Sequence, residues 1–264
     1  MNPPHDVDRK LTTPRGPRGT DASTRVPDPG DERTLPDPHH RDVTGGWLRP
    51  AVFGVSDGLV SNAALIVGVA GADVSARTVV LTGLAGLASG AFSMATGEYV
   101  SVASQAELTR AEIELEKAEL RRVPAAEQRE LAAIYVERGL DADLAAEVAR
   151  QLHRDPEKTW RIHAREELGV DPDDLPSPWV ASGSSFVAFA LGALLPLLPY
   201  LLGAETLLAT VVVAAISLFA AGAAVSRFTS RTWWYSGGRQ LALGAMAGVV
   251  TYAIGTAIGS TGTL

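Results

Sequence analysis

The apolar positions of this chain fall into five long blocks, at about residues 51–72, 78–100, 179–202, 206–226 and 240–260, with polar sequence between them. Each block is close to the ~20 residues that an α-helix needs to cross the hydrocarbon of a bilayer. A soluble protein can bury a helix that is apolar all round, but five in one short chain point to membrane spans. The expected fold class is therefore an all-α membrane protein with five transmembrane helices.

The polar stretches are of two kinds. Residues 1–46 are dominated by Pro, Gly, Asp, Arg, Thr and Ser with scattered apolar residues such as Leu11 and Leu35, the composition of a disordered tail. The tail holds no apolar core of the sort a secretory signal needs, so it is expected to stay in the cytoplasm, and its His39-His40 pair reads as incidental. Residues 101–178 instead read as three or four charged helices. One covers 100–122; Pro124 and Ala125 start another that ends at Gly139; Asp141 or Asp143 caps a third; Asp155-Pro156 opens a fourth that ends at Gly169. The domain plan is thus a tail (1–46), two spans (47–100), a helical insertion (101–178) and three further spans (179–264).

The basic residues orient the spans. Arg41 and Arg49 precede the first, the insertion follows the second, and Arg227, Arg231 and Arg239 lie between the fourth and fifth. The positive-inside rule makes these three places cytoplasmic and leaves the short connections near 71–77 and 203–205, and the C-terminus, outside. Trp47, Trp179, Trp233, Trp234 and Tyr235 fall beside the cytoplasmic ends, where amphipathic rings favour the interface. With no targeting signal and an Arg/Ala-rich bias, the expected location is the plasma membrane. Small-xxx-small steps at Gly54/Gly58, Gly86/Gly90, Gly244/Gly248 and Gly255/Gly259 predict close helix packing without designating a dimer face.

Charge and composition narrow the chemistry. The net charge is −7, and all of it arises in 101–178, with eighteen acidic against eleven basic residues, while the rest of the chain carries twelve of each. Such a balance speaks against a nucleic-acid partner. The absence of cysteine excludes disulfides, thiolate zinc sites and iron–sulfur clusters, so a bound metal must rest on oxygen, imidazole or thioether. No P-loop, H-E-x-x-H or G-x-S-x-G is present, and neither His153 nor His163 follows a Glu three residues earlier, so an enzyme and a prosthetic group are not expected.

Asp57 lies inside the first span, where an ionisable side chain is costly unless paired or watered and commonly marks an ion path. Ser56, Ser61 and Asn62 extend it into a polar stripe; a role confined to helix packing is the other reading. Met94 and Glu98, four residues apart on the second span, share a face, and thioether with carboxylate suits a borderline transition metal. In the insertion, Glu112, Glu116 and Glu119 stack at i, i+4, i+7, Glu127 and Glu130 pair on the next helix, and His163 and Glu167 are one turn apart. With Lys117, Arg121 and Arg129 interleaved these read either as solvated faces or as a carboxylate–imidazole site for iron(II) or manganese(II).

The strings Gly54-Val55-Ser56-Asp57-Gly58-Leu59-Val60, Ser93-Met94-Ala95-Thr96-Gly97-Glu98-Tyr99 and Glu166-Glu167-Leu168-Gly169 resemble the vacuolar iron transporter family, including its bacterial and nodulin-like members, from about Trp47 to the C-terminus. The resemblance implies a homodimer that moves iron(II) or manganese(II) out of the cytoplasm by proton antiport. It implies a translocation path through Asp57 and Met94, with Glu98 a further candidate, and metal ligands at Glu116, Glu119, Glu127, Glu130 and Glu167. Glu112 and Glu166 flank these as secondary candidates. His163 stands where plant-type members carry a methionine ligand, and Gly86 where they place a second membrane glutamate, so Glu98 or a different coupling ratio would have to compensate. A membrane-anchored metal buffer or sensor is the alternative function; a mere anchor has no need of Asp57 inside a span.

Overall fold

The computed structural model describes residues 46–204, 206–228 and 231–261, and these are helical throughout apart from turns and short connections. The tail expected over 1–46 lies, but for Gly46, outside the described residues. The order is α1 (Leu48–Gly71), α2 (Ala76–Arg122), α3 (Pro124–Glu137), α4 (Ala142–Leu152), α5 (Pro156–Glu166), α6 (Pro178–Leu201), α7 (Leu207–Val225) and α8 (Trp233–Ser260), with one 3₁₀ turn, Ser226–Phe228, after α7. Five of them, α1, α2, α6, α7 and α8, are long and apolar enough to cross a membrane, so the molecule is an all-helical membrane protein.

The spans pack through small residues. Helix α6 sits against both α1 and α2, while α1 also lies on α8, and α7 pairs with α8. At Gly58 an added Cβ would fall 2.3 Å from the Phe189 carbonyl oxygen, and at Gly255 only 1.8 Å from that of Gly68, so neither position has room for a side chain. Gly54 and Gly58 therefore serve the α1–α6 contact, and Gly255 and Gly259 the α1–α8 contact, within one chain. Ile66, Val79, Leu197 and Tyr200 form one buried apolar cluster and Ala91, Phe189 and Ala193 another. Ser182 Oγ donates to the Ala95 carbonyl at 2.9 Å and ties α6 to α2.

Helix α2 is 47 residues long, about 70 Å at 1.5 Å per residue, and passes through position 100 without a break. The second span and the first helix of the insertion are one rod, because neither Gly nor Pro interrupts the chain between Gly97 and Pro124. Ser75 caps its start by accepting from the Thr78 amide, and Arg121 and Arg122 complement the dipole at its end. Helix α8 likewise begins at Trp233, seven residues before the apolar block, so Arg239 is helical.

Only Val123 separates α2 from α3, whose Pro124 occupies the first helical position, where its missing N–H costs nothing. The α3 end is turned by Gly139 at φ +101°, a left-handed conformation open to glycine. Asp155 opens α5, its Oδ1 accepting from the Glu157 amide at 3.0 Å. Lys117 Nζ lies 4.1 Å above the Trp160 ring, holding α5 against the extended end of α2.

Candidate metal centre

Three segments of the insertion bring four donors to one point. Glu116 comes from α2, Glu127 from the first turn of α3, and His163 with Glu167 from α5 and its C-terminal cap. One ligand atom from each lies within 4.8 Å of all the others, the spread expected of donors around one divalent ion at roughly 2.0–2.6 Å. His163 is fully buried, and its Nδ1 is 3.0 Å from Glu116 Oε1 and 2.6 Å from Glu167 Oε1. These distances suit ion pairing, and all three atoms are buried without a hydrogen-bond partner of good geometry. Convergent, dehydrated and unsatisfied donors are what a cation would complete.

The electrostatics follow from this crowding. Burial, reinforced by Glu167 and only partly offset by His163, pushes Glu116 up to about 7. Burial also raises Glu127, helped by Glu130, Glu119 and Glu167. Burial alone would lower His163, yet Glu167, Glu116 and Glu127 outweigh it and leave the imidazole more basic than usual. Without a cation, then, the cluster holds protons near neutrality, and a divalent ion would displace them. Carboxylates with one imidazole and no thiolate fit iron(II) or manganese(II) better than a site of oxygens alone, which would suit magnesium or calcium.

A second histidine sets the tautomer. His153 Nδ1 lies 2.9 Å from the Ala149 carbonyl, which can only accept, so this nitrogen carries the proton. Its Nε2 is then a lone pair 3.3 Å from His163 Nε2, which must donate to it. The lone pair of His163 is thereby directed to Nδ1, into the carboxylates. Sequence inspection missed this role. The signal available was the Asp155-Pro156 helix start between two histidines ten residues apart, a turn that folds α5 back on α4.

The other acidic candidates are placed differently. Glu119 is half-buried one turn from Glu116 and acts on the cluster through its charge, and Glu130, exposed on α3, does the same through Glu127. Glu112 is exposed. Glu166 pairs with Arg138 and accepts from the Tyr135 hydroxyl at 3.3 Å, which draws its carboxylate away from the centre.

Two of the three membrane candidates share a cleft. Asp57 and Met94 line one cleft of about 440 Å³ between α1 and α2, together with Ser61, Asn62, Ser89 and Ser93. Asp57 is exposed along this face. Glu98 lines another cavity, with Arg49, Ser56 and Gln240, so the shared face with Met94 does not become a shared site. Gly86 leaves α2 without a side chain where Asn62 and Leu65 of α1 press against it.

With this geometry in view, the profile of the VIT family matches residues 48–256. The chain is 31% identical to vacuolar iron transporter 1 of Arabidopsis thaliana over 243 residues, covering 89% of this chain and 96% of that protein. It is 31% identical to vacuolar iron transporter 2 of Oryza sativa subsp. japonica over 240 residues, 89% and 98% of the two chains. A vacuolar iron transporter of Acanthamoeba castellanii is 41% identical over 155 residues, 59% of this chain and 56% of that one.

Proposed function

The chain belongs to the VIT family, whose matched relatives are named as transporters and not as enzymes, and we propose that it is a proton-coupled exporter of iron(II), and also of manganese(II), from the cytoplasm. In this reading the insertion faces the cytoplasm and captures the ion on Glu116, Glu127, His163 and Glu167, with Glu119 and Glu130 drawing cations toward them. The ion then enters the α1–α2 cleft at Asp57 and Met94. Protonation of Asp57 from the far side releases it, since a bound cation favours the ionised carboxylate and a proton competes for the same oxygen.

The observation that carries the reading is Asp57 in a polar cleft on an apolar span. Its exposure on the single chain also supports a homodimer, because a carboxylate facing lipid is costly and a second copy covering this face would enclose the cleft. The basic residues around the spans support an N-terminus and insertion inside and a C-terminus outside.

The test is metal flux into liposomes carrying the purified protein, with iron(II) and manganese(II) offered separately, with and without a pH gradient. Flux should follow the gradient, and Asp57→Asn should lower it at least about 100-fold while leaving the dimer intact. A metal buffer or sensor is the second reading, favoured by the position of all four convergent ligands outside the apolar stretches of the spans. It requires saturable binding with no flux under either gradient.

A further inference from the structure

Asn62 is 2% exposed, on α1 inside the membrane bundle. Its Nδ2 donates to the Ala193 carbonyl of α6 at 2.6 Å, and because that carbonyl can only accept, the amide is held in one orientation. The Oδ1 is turned the other way, buried and without a hydrogen-bond partner. Asn62 is one of the residues lining the cleft with Asp57 and Met94. On the opposite wall α2 offers Gly86, where an added Cβ would fall 2.9 Å from this oxygen and 2.5 Å from Leu65 Cδ2. The glycine leaves no side chain over this oxygen, and a buried acceptor fixed by one hydrogen bond and left without a partner beside the cleft is arranged for a cation.

We propose that Asn62 Oδ1 is a neutral ligand of the ion in the membrane cleft, acting beside the Asp57 carboxylate and the Met94 thioether. This rests on the transport reading and deepens it. Among the described residues lining the cleft of one chain only Asp57 can exchange a proton, so each chain contributes at most one proton to the membrane step. A neutral oxygen has a further consequence. It contributes to binding without adding a second negative charge that the released ion would have to escape.

The experiment is iron(II) and manganese(II) flux in proteoliposomes for the parent, Asn62→Leu and Asn62→Asp, with metal-free melting of each purified full-length protein in detergent. Asn62→Leu keeps the volume and removes the oxygen, and should raise the KM for flux at least about tenfold with the melting temperature little changed. Asn62→Asp loses the donor to Ala193 but keeps an oxygen in the cleft. At pH 8 it adds the second charge that the amide avoids, so its KM should be no higher than the parent's while its maximal rate falls, with a pH profile that steepens because a second titrating oxygen now shares the site. A role confined to helix packing makes the opposite forecast: both variants lower the melting temperature, and neither changes KM or the pH profile. Asn62→Leu with a KM within twofold of the parent overturns the assignment; if it fails to fold, Asn62→Asp with the parent's pH profile does so. Absence of flux in the parent would instead overturn the transport reading on which the assignment stands.

Discussion

The insertion and the membrane cleft both present metal donors, yet they are built on opposite principles. In the insertion three carboxylates and an imidazole from three segments converge in a buried cluster, carrying more negative charge than one divalent ion can neutralise. In the cleft one carboxylate stands among serine hydroxyls, a thioether and an amide, on a face open in the single chain. The first arrangement suits capture at low concentration, and the second suits release, since the free energy holding an ion at a site must be overcome for it to leave. The difference also explains where protons act: several compete for the insertion, and one for the cleft in each chain.

The sharpest way to break this contrast is to remove one capture carboxylate. Glu116→Gln should lower manganese(II) affinity of the purified protein at least about 100-fold by calorimetry, because even partners behind a ligand typically account for 10–100-fold. The same change removes a dehydrated charge, so the metal-free protein should melt higher, by on the order of 1 kcal/mol at pH 8. Flux at saturating ion should persist; if it vanished along with binding, the two sites would not divide the work.

Acid should separate the sites next. Glu116 sits at about 7 and His163 above its ordinary value, so both bind protons more readily folded than unfolded. The stability this gives the metal-free protein is present below the unfolded values and is lost as pH rises through the folded ones, whereas metal needs the deprotonated forms. Manganese(II) affinity should thus fall by up to about 100-fold per pH unit once pH drops below both, and the metal-induced rise in melting temperature should be larger at pH 8 than at pH 6. Equal shifts at the two values would mean that these groups do not hold the ion.

Smaller effects sharpen the picture within the insertion. His153→Phe removes the acceptor that orients His163 and should weaken manganese(II) binding about tenfold while helical circular dichroism stays unchanged. Glu166→Gln should leave affinity unaltered and cost at most about 1 kcal/mol in melting, as its partner is the partly exposed Arg138. A loss of affinity in Glu166→Gln would show that the carboxylate reorients to the metal.

Helical spacing made Glu112, Glu116 and Glu119 equivalent, and likewise Glu127 and Glu130. The fold distinguishes them: the one-residue link at Val123 and the docking of α5 bury Glu116 and Glu127 and leave Glu112 and Glu130 in solvent. The same limit applies to Glu98. Its i, i+4 relation to Met94 was legible, but the cavity it lines is set by Arg49, Ser56 and Gln240 from other helices. The continuity of α2 could have been read from the absence of Gly and Pro between Gly97 and Pro124, yet the change from apolar to charged sequence at position 100 concealed it.

What the sequence by itself determined was therefore everything governed by short-range terms. These are the five apolar helices, the polar helical insertion, the starts and stops at Pro124, Asp155 and Gly139, and the residue types from which a metal site could be made. A span satisfies its own backbone and its burial in lipid scales with its own composition, so it is legible locally. Only the tertiary structure decided which oxygens and nitrogens meet. The lone pair of His163 is aimed by His153, and the amide of Asn62 by a carbonyl 131 positions away on α6. A binding site is a set of distances between atoms far apart in the chain, and packing alone sets those distances.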